Sequence, residues 1–143
     1  MGLKDVLLKK GWAGRTISRN ETAARLNPIV TRLAGLLNAY DAFVNDQELA
    51  AVQDGLDAQI RFLRMDIGKV SEAIFSSGGI AERSARGAAA VPAGLDALVS
   101  EEEAVFRLLG EETEIEHEMH TRAVLGAVAG NTQERIRLLK RLR

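Results

Sequence analysis

The sequence predicts an all-α protein, an antiparallel four-helix bundle with short helices at its N- and C-terminal ends, on three observations. Apolar residues recur at intervals of three and four over most of the chain, and no stretch alternates with period two for long. Only two prolines occur in 143 residues, so little opposes helix propagation. Four stretches pair a short polar side chain with a glutamate three positions on: Ser18 with Glu21, Asn45 with Glu48, Ser100 with Glu103 and Asn131 with Glu134. In each, the short side chain can accept from an orphan N–H while the carboxylate sits in the positive first turn, the signature of a helix start.

The first core helix is expected over 19–44, with Leu26, Ile29, Leu33, Leu36, Leu37, Tyr40, Phe43 and Val44 forming one stripe. Pro28 lacks an N–H, so Asn27-Pro28 marks a kink or an alternative start. The second, 46–77, carries Leu49, Val52, Leu56, Ile60, Leu63, Ile67, Val70 and Ile74 and stops at Gly78-Gly79. A segment rich in small residues follows, and Pro92 restarts a short helix over 92–99. A long helix over 101–129 ends at Gly130, and a terminal helix over 132–142 turns Ile136, Leu139 and Leu142 inward. Tight junctions at Asn45-Asp46 and near Ser100 imply antiparallel neighbours.

One domain over 1–143 is expected, long enough to bury roughly two thirds of the surface its unfolded chain exposes. The chain is 46% hydrophobic but 4% aromatic, so Leu, Ala, Val and Ile must supply the core. A net charge of −1 provides no field to attract nucleic acid or an anionic membrane. The closing "RIRLLKRLR" is basic, but cations at a helix C-terminus complement the dipole and need no nucleic-acid partner. The absence of cysteine excludes disulfides, thiolate metal sites and thiol catalysis. Lys4, Asp5, Lys9 and Lys10 break up the N-terminal apolar residues, and no apolar run is long enough for a membrane span, so a cytoplasmic location is expected.

Both histidines lie in "EETEIEHEMH", residues 111–120, where Glu114-x-x-His117 has the spacing used by di-iron carboxylate bundles. Projected on one continuous helix with Glu112 at zero, Glu116 falls at about 40° and His120 at about 80°, near the apolar stripe. Glu114, at about 200°, and His117, at about 140°, point the other way. The candidate metal ligands are therefore Glu112, Glu116 and His120, whose oxygen and imidazole donors suit Fe, Mn or Zn. A carboxylate facing a core needs a cation, a donor or water, and Arg25, Arg32, Arg61 and Arg64 are the alternative partners. No catalytic triad and no phosphate-binding glycine loop can be proposed from the spacing. His117 and His120 also admit a phosphotransfer reading, for which Arg122 and Gly126 offer only loose support.

The order of these features resembles the ferritin-like superfamily, in particular its small bacterial four-helix-bundle domains of unassigned function. The likeness covers roughly 26–142. It rests on Leu26-Asn27 opening a core helix, Gly78-Gly79 ending the next, Gly110-Glu111-Glu112 in a later one, and Arg135 to Leu139 in the last. The resemblance implies a bundle fold, and iron-storage, oxidase or DNA-protecting roles where metal ligands are retained. Where a metal-binding relative would carry Glu-x-x-His, residues 57–70 read "DAQIRFLRMDIGKV". The expected function is thus a non-enzymatic homo-oligomeric scaffold or interaction module, with a dimer favoured through a second apolar strip of Phe106 and Val124. The alternative is a metal-binding oxidoreductase or storage-type bundle.

Overall fold

The computed structural model describes residues 17–46, 53–84 and 94–142. They form four helices, α1 (Arg19–Asp46), α2 (Gln53–Ser76), α3 (Leu95–Thr113) and α4 (Met119–Leu142), with no strand among the described residues. Ser18 starts α1 as its sequence requires: its Oγ accepts from the Glu21 N–H at 3.2 Å and lies 3.4 Å from the Glu21 carboxylate. The helix runs through Pro28 to Asp46, so Pro28 is not an alternative start. The C-terminus of α2 is a Schellman turn: Gly78 adopts φ 85°, its N–H bonds the Phe75 carbonyl at 2.9 Å, and the Gly79 N–H bonds that of Ile74 at 3.0 Å. Gly79 is also needed for space, because a Cβ there would lie 2.5 Å from the Ala23 Cβ. The chain then lies along α1, where Asn27 donates to the Ile80 carbonyl and accepts from the Glu82 N–H, and Thr31 donates to the Glu82 carbonyl.

Each helix buries a seam whose spacing alternates four and three. On α1 it is Thr22, Leu26, Ile29, Leu33, Leu36, Tyr40 and Phe43, and on α2 Leu56, Ile60, Leu63, Ile67, Val70 and Ile74. On α3 it is Leu98, Glu102, Val105, Leu109 and Glu112, and on α4 Thr121, Leu125, Val128, Thr132, Arg135 and Leu139. Such a repeat keeps one stripe turned toward neighbouring helices, and each fully buried Leu or Ile contributes roughly 1.5–3 kcal/mol. Helix α1 packs on α2 and α3, and α4 packs on the same two, so α1 and α4 occupy one diagonal and α2 and α3 the other. Cross-links order the pairs: Arg25 reaches Glu112 and Arg32 reaches Glu101 between α1 and α3, and Arg64 reaches Asp41 between α2 and α1. No helix among the described residues is long and apolar enough to cross a membrane.

Helix boundaries in the second half differ from the sequence expectation. The helices expected at 92–99 and 101–129 do not meet at a junction near Ser100: α3 continues from Leu95 to Thr113, because Leu98, Glu102, Val105 and Leu109 form one uninterrupted seam. The expected stop at Gly130 is absent too, and α4 runs on to Leu142, with Asn131 inside it rather than capping. The break falls instead within the acidic stretch, at residues 114–118. Carried to the end of α3, Glu114, Glu116 and Glu118 would pile negative charge at the negative pole of a helix. A break at 114–118 places Glu116 and Glu118 before the N-terminus of α4, where the dipole favours them, and the Glu118 carbonyl accepts the Arg122 N–H at 2.9 Å. The tight junction expected at Asn45-Asp46 is absent as well, since both residues lie in the last turn of α1 and Asn45 does not cap a second helix there. Residues 47–52, Pro92 and the N-terminal residues 1–16 lie outside the described residues.

Candidate functional site

Glu112 is inward, as its helix position requires, and its side chain is 7% exposed. The Arg25 Nε–H, from α1, donates to both carboxylate oxygens at 3.0 and 3.2 Å. His117 Nε2 lies 2.7 Å from Glu112 Oε2. A carboxylate only accepts, so Nε2 carries the proton of this contact, while Nδ1 has no hydrogen-bond partner among the described residues. His117 is therefore buried and not outward as the helical projection had it, because the chain leaves the helix after Thr113 and the projection stops being valid there. Its backbone N–H bonds the Ile115 carbonyl at 2.9 Å, which folds the ring back under the end of α3.

The other two expected ligands go elsewhere. Glu116 is half-buried and accepts from Arg122 at 3.3 Å, and His120 is exposed on the first turn of α4. Glu112, Glu116 and His120 thus sit in three environments, and the Glu112 carboxylate is already engaged by Arg25 and His117. Among the described residues no group of three or more His, Cys, Asp or Glu side chains is gathered to hold a metal ion.

A second polar cluster, in the middle of the bundle, takes one side chain from every helix: Tyr40 of α1, Asp66 of α2, Glu102 of α3 and Arg135 of α4. All four are fully buried. Arg135 donates from Nε to Glu102 Oε2 and from Nη2 to Oε1 at 3.3 Å, a forked pairing that matches the planar guanidinium to the carboxylate. Its Nη2 also donates to Thr132 Oγ1 at 3.1 Å, and Nη1 lies 3.4 Å from Asp66 Oδ2. The Tyr40 hydroxyl donates to Glu102 Oε2 at 2.7 Å, and Asn131 donates to Asp66 Oδ1 at 2.9 Å.

Burial disfavours charge on both carboxyls and raises the pKa of Asp66 and of Glu102, against the pull of Arg135 and its hydrogen bonds. Tyr40 moves up strongly, first from burial and then from the neighbouring Glu102 charge, so it stays a neutral donor. For Arg135 burial works against the cation, but Glu102, Tyr40 and Asp66 outweigh it and the pKa rises. The cluster is thus a charged guanidinium held between two carboxyls and a phenol, without water access.

Sequence reasoning missed this cluster. The basic run that contains Arg135 reads as cations complementing a helix C-terminus, and no local motif singles out Glu102 or Asp66. The signal was available in the spacing, since Glu102 lies seven residues before Leu109, and Arg135 lies seven after Val128, both on buried seams. No family model, curated protein or solved structure matches the chain.

Proposed function

We propose that the chain is a ferritin-like, antiparallel helical bundle that works as a non-enzymatic, homo-oligomeric scaffold or interaction module. The observation that carries the non-enzymatic part is that each carboxylate turned into the bundle is met by donors of the chain itself: Glu102 and Asp66 by Arg135, Glu112 by Arg25 and His117. In a carboxylate-bridged metal bundle those positions serve a cation, and a guanidinium here supplies the positive charge. The antiparallel sense is supported by the order of the cross-links, which climb one helix as they descend its neighbour. The strip expected from Phe106 and Val124 does not serve, because Val124 is buried; self-association is supported instead by the large apolar side chains left on the surface, above all Phe75, Ile80 and Met119 at 78%, 83% and 86% exposure.

Light scattering coupled to size-exclusion chromatography, with elemental analysis of protein purified without a histidine tag, tests this reading. A metal-free dimer or higher oligomer is expected. A strict monomer ends the oligomer part, and stoichiometric Fe, Mn or Zn ends the non-metal part.

A further inference from the structure

The central cluster does not balance in charge. Two carboxyls, one guanidinium and a neutral phenol sum to one excess negative charge when both acids are ionised, in a place where all four side chains are fully buried. An unmatched buried charge costs several kcal/mol, so the group gains a proton before it bears that cost. We propose that the quartet is a buried proton-binding site, in which Asp66 carries the proton at neutral pH and Glu102 stays ionised. This reading stands apart from the proposed scaffold role and does not depend on it.

The hydrogen bonds decide which acid holds it. Glu102 receives the fork from Arg135 and the Tyr40 hydroxyl, three donors that all favour the anion. Asp66 receives one neutral amide, from Asn131, and a guanidinium N–H at the longer distance of 3.4 Å. The groups facing Asp66 are Arg135 and Asn131 from α4, with Glu102 from α3 as a like charge and Lys69 one turn along α2. Lys69 is half-buried and closes no ion pair with it within 4.0 Å.

Asn131 makes the site workable in both states. With Asp66 ionised, Asn131 Nδ2 donates to Oδ1 across 2.9 Å. With Asp66 protonated on Oδ1, the same separation serves when the amide turns over, so that the carboxyl donates to Asn131 Oδ1 while Oδ2 still accepts from Arg135. Proton loss then places a second full negative charge beside a guanidinium already committed to Glu102, at the contact that joins α2 to α4. Burial raises the folded-state pKa of Asp66 above its unfolded value of about 3.9, against the pull of Asn131, Arg135 and Lys69. The linked stability is therefore fully present below about pH 4 and is lost as pH rises through the folded-state value.

The test is a carboxyl-carbon NMR titration of the parent, together with urea unfolding of the parent, Asp66→Asn and Glu102→Gln at pH 5 and pH 8. The expected result is an Asp66 Cγ resonance that remains protonated at neutral pH while the Glu102 Cδ resonance does not. Asp66→Asn, which mimics the protonated acid, should hold or raise the urea midpoint at pH 8 and flatten its fall between the two pH values. Glu102→Gln should lower the midpoint at both. An Asp66 carboxyl that is ionised at pH 7 overturns the proposal, as does a protonated Glu102 beside an ionised Asp66. The NMR readout uses the parent alone and decides the matter even if a variant does not fold.

Discussion

The two polar clusters of this bundle satisfy the same need under different exposure. In the central quartet Arg135 and both carboxylates are 0% exposed, whereas at the end of the bundle Glu112 and His117 are buried but Arg25 is 41% exposed. Water can take over from Arg25 when its partner is lost. It cannot reach Arg135. An ion pair at a bundle end is thus worth little beyond its desolvated half, whereas an ion pair in the centre cannot be broken without stranding a charge. The difference teaches that the same chemistry, an inward glutamate met by an arginine, is adaptable at one site and obligatory at the other.

The comparison is broken most directly at Arg135. Arg135→Met should lower stability by roughly 3–5 kcal/mol in urea unfolding, because two buried carboxyls lose their cation together. A loss below 1 kcal/mol would show that the centre is wetter than its burial implies. Glu112→Gln should cost less, roughly 1–3 kcal/mol, since the amide oxygen can still accept from the buried His117 ring and the hydrated Arg25 loses only a charged partner. Arg25→Ala should cost at most about 1 kcal/mol, and that cost should shrink in 0.5 M salt, whereas the Arg135→Met effect should not. Equal salt sensitivity at the two sites would erase the distinction. The smallest effect is expected at Arg137→Ala, which removes an exposed pair with Glu134 one turn away, within about 0.5 kcal/mol of the parent by thermal unfolding.

The extent to which the site was legible follows the same division. That Glu112 faces inward could be read from its position on the apolar stripe, and Arg25 was one of four arginines available to meet it. His117 could not be placed, because a helical projection holds only while the helix does, and the chain departs from it after Thr113. Ser18 and Glu21 cap as their spacing predicts, yet Ser100 with Glu103 and Asn131 with Glu134 have the same spacing and lie inside helices. Local capping tendency, worth about 1 kcal/mol, starts a helix only where packing does not favour continuing one. At Ser100 and Asn131 the buried seam runs straight through.

The sequence by itself determined the helical class, the inward stripes and the Gly78-Gly79 stop, because each depends on residues within a turn or two of one another. Tertiary structure alone decided that the acidic stretch is a break between two helices and that Arg135 enters the core. It also brought Tyr40, Asp66, Glu102 and Arg135 into one cluster. Their contacts span 33 to 69 residues of chain, and which arginine meets which carboxylate is settled only when four helices pack and exclude water between them.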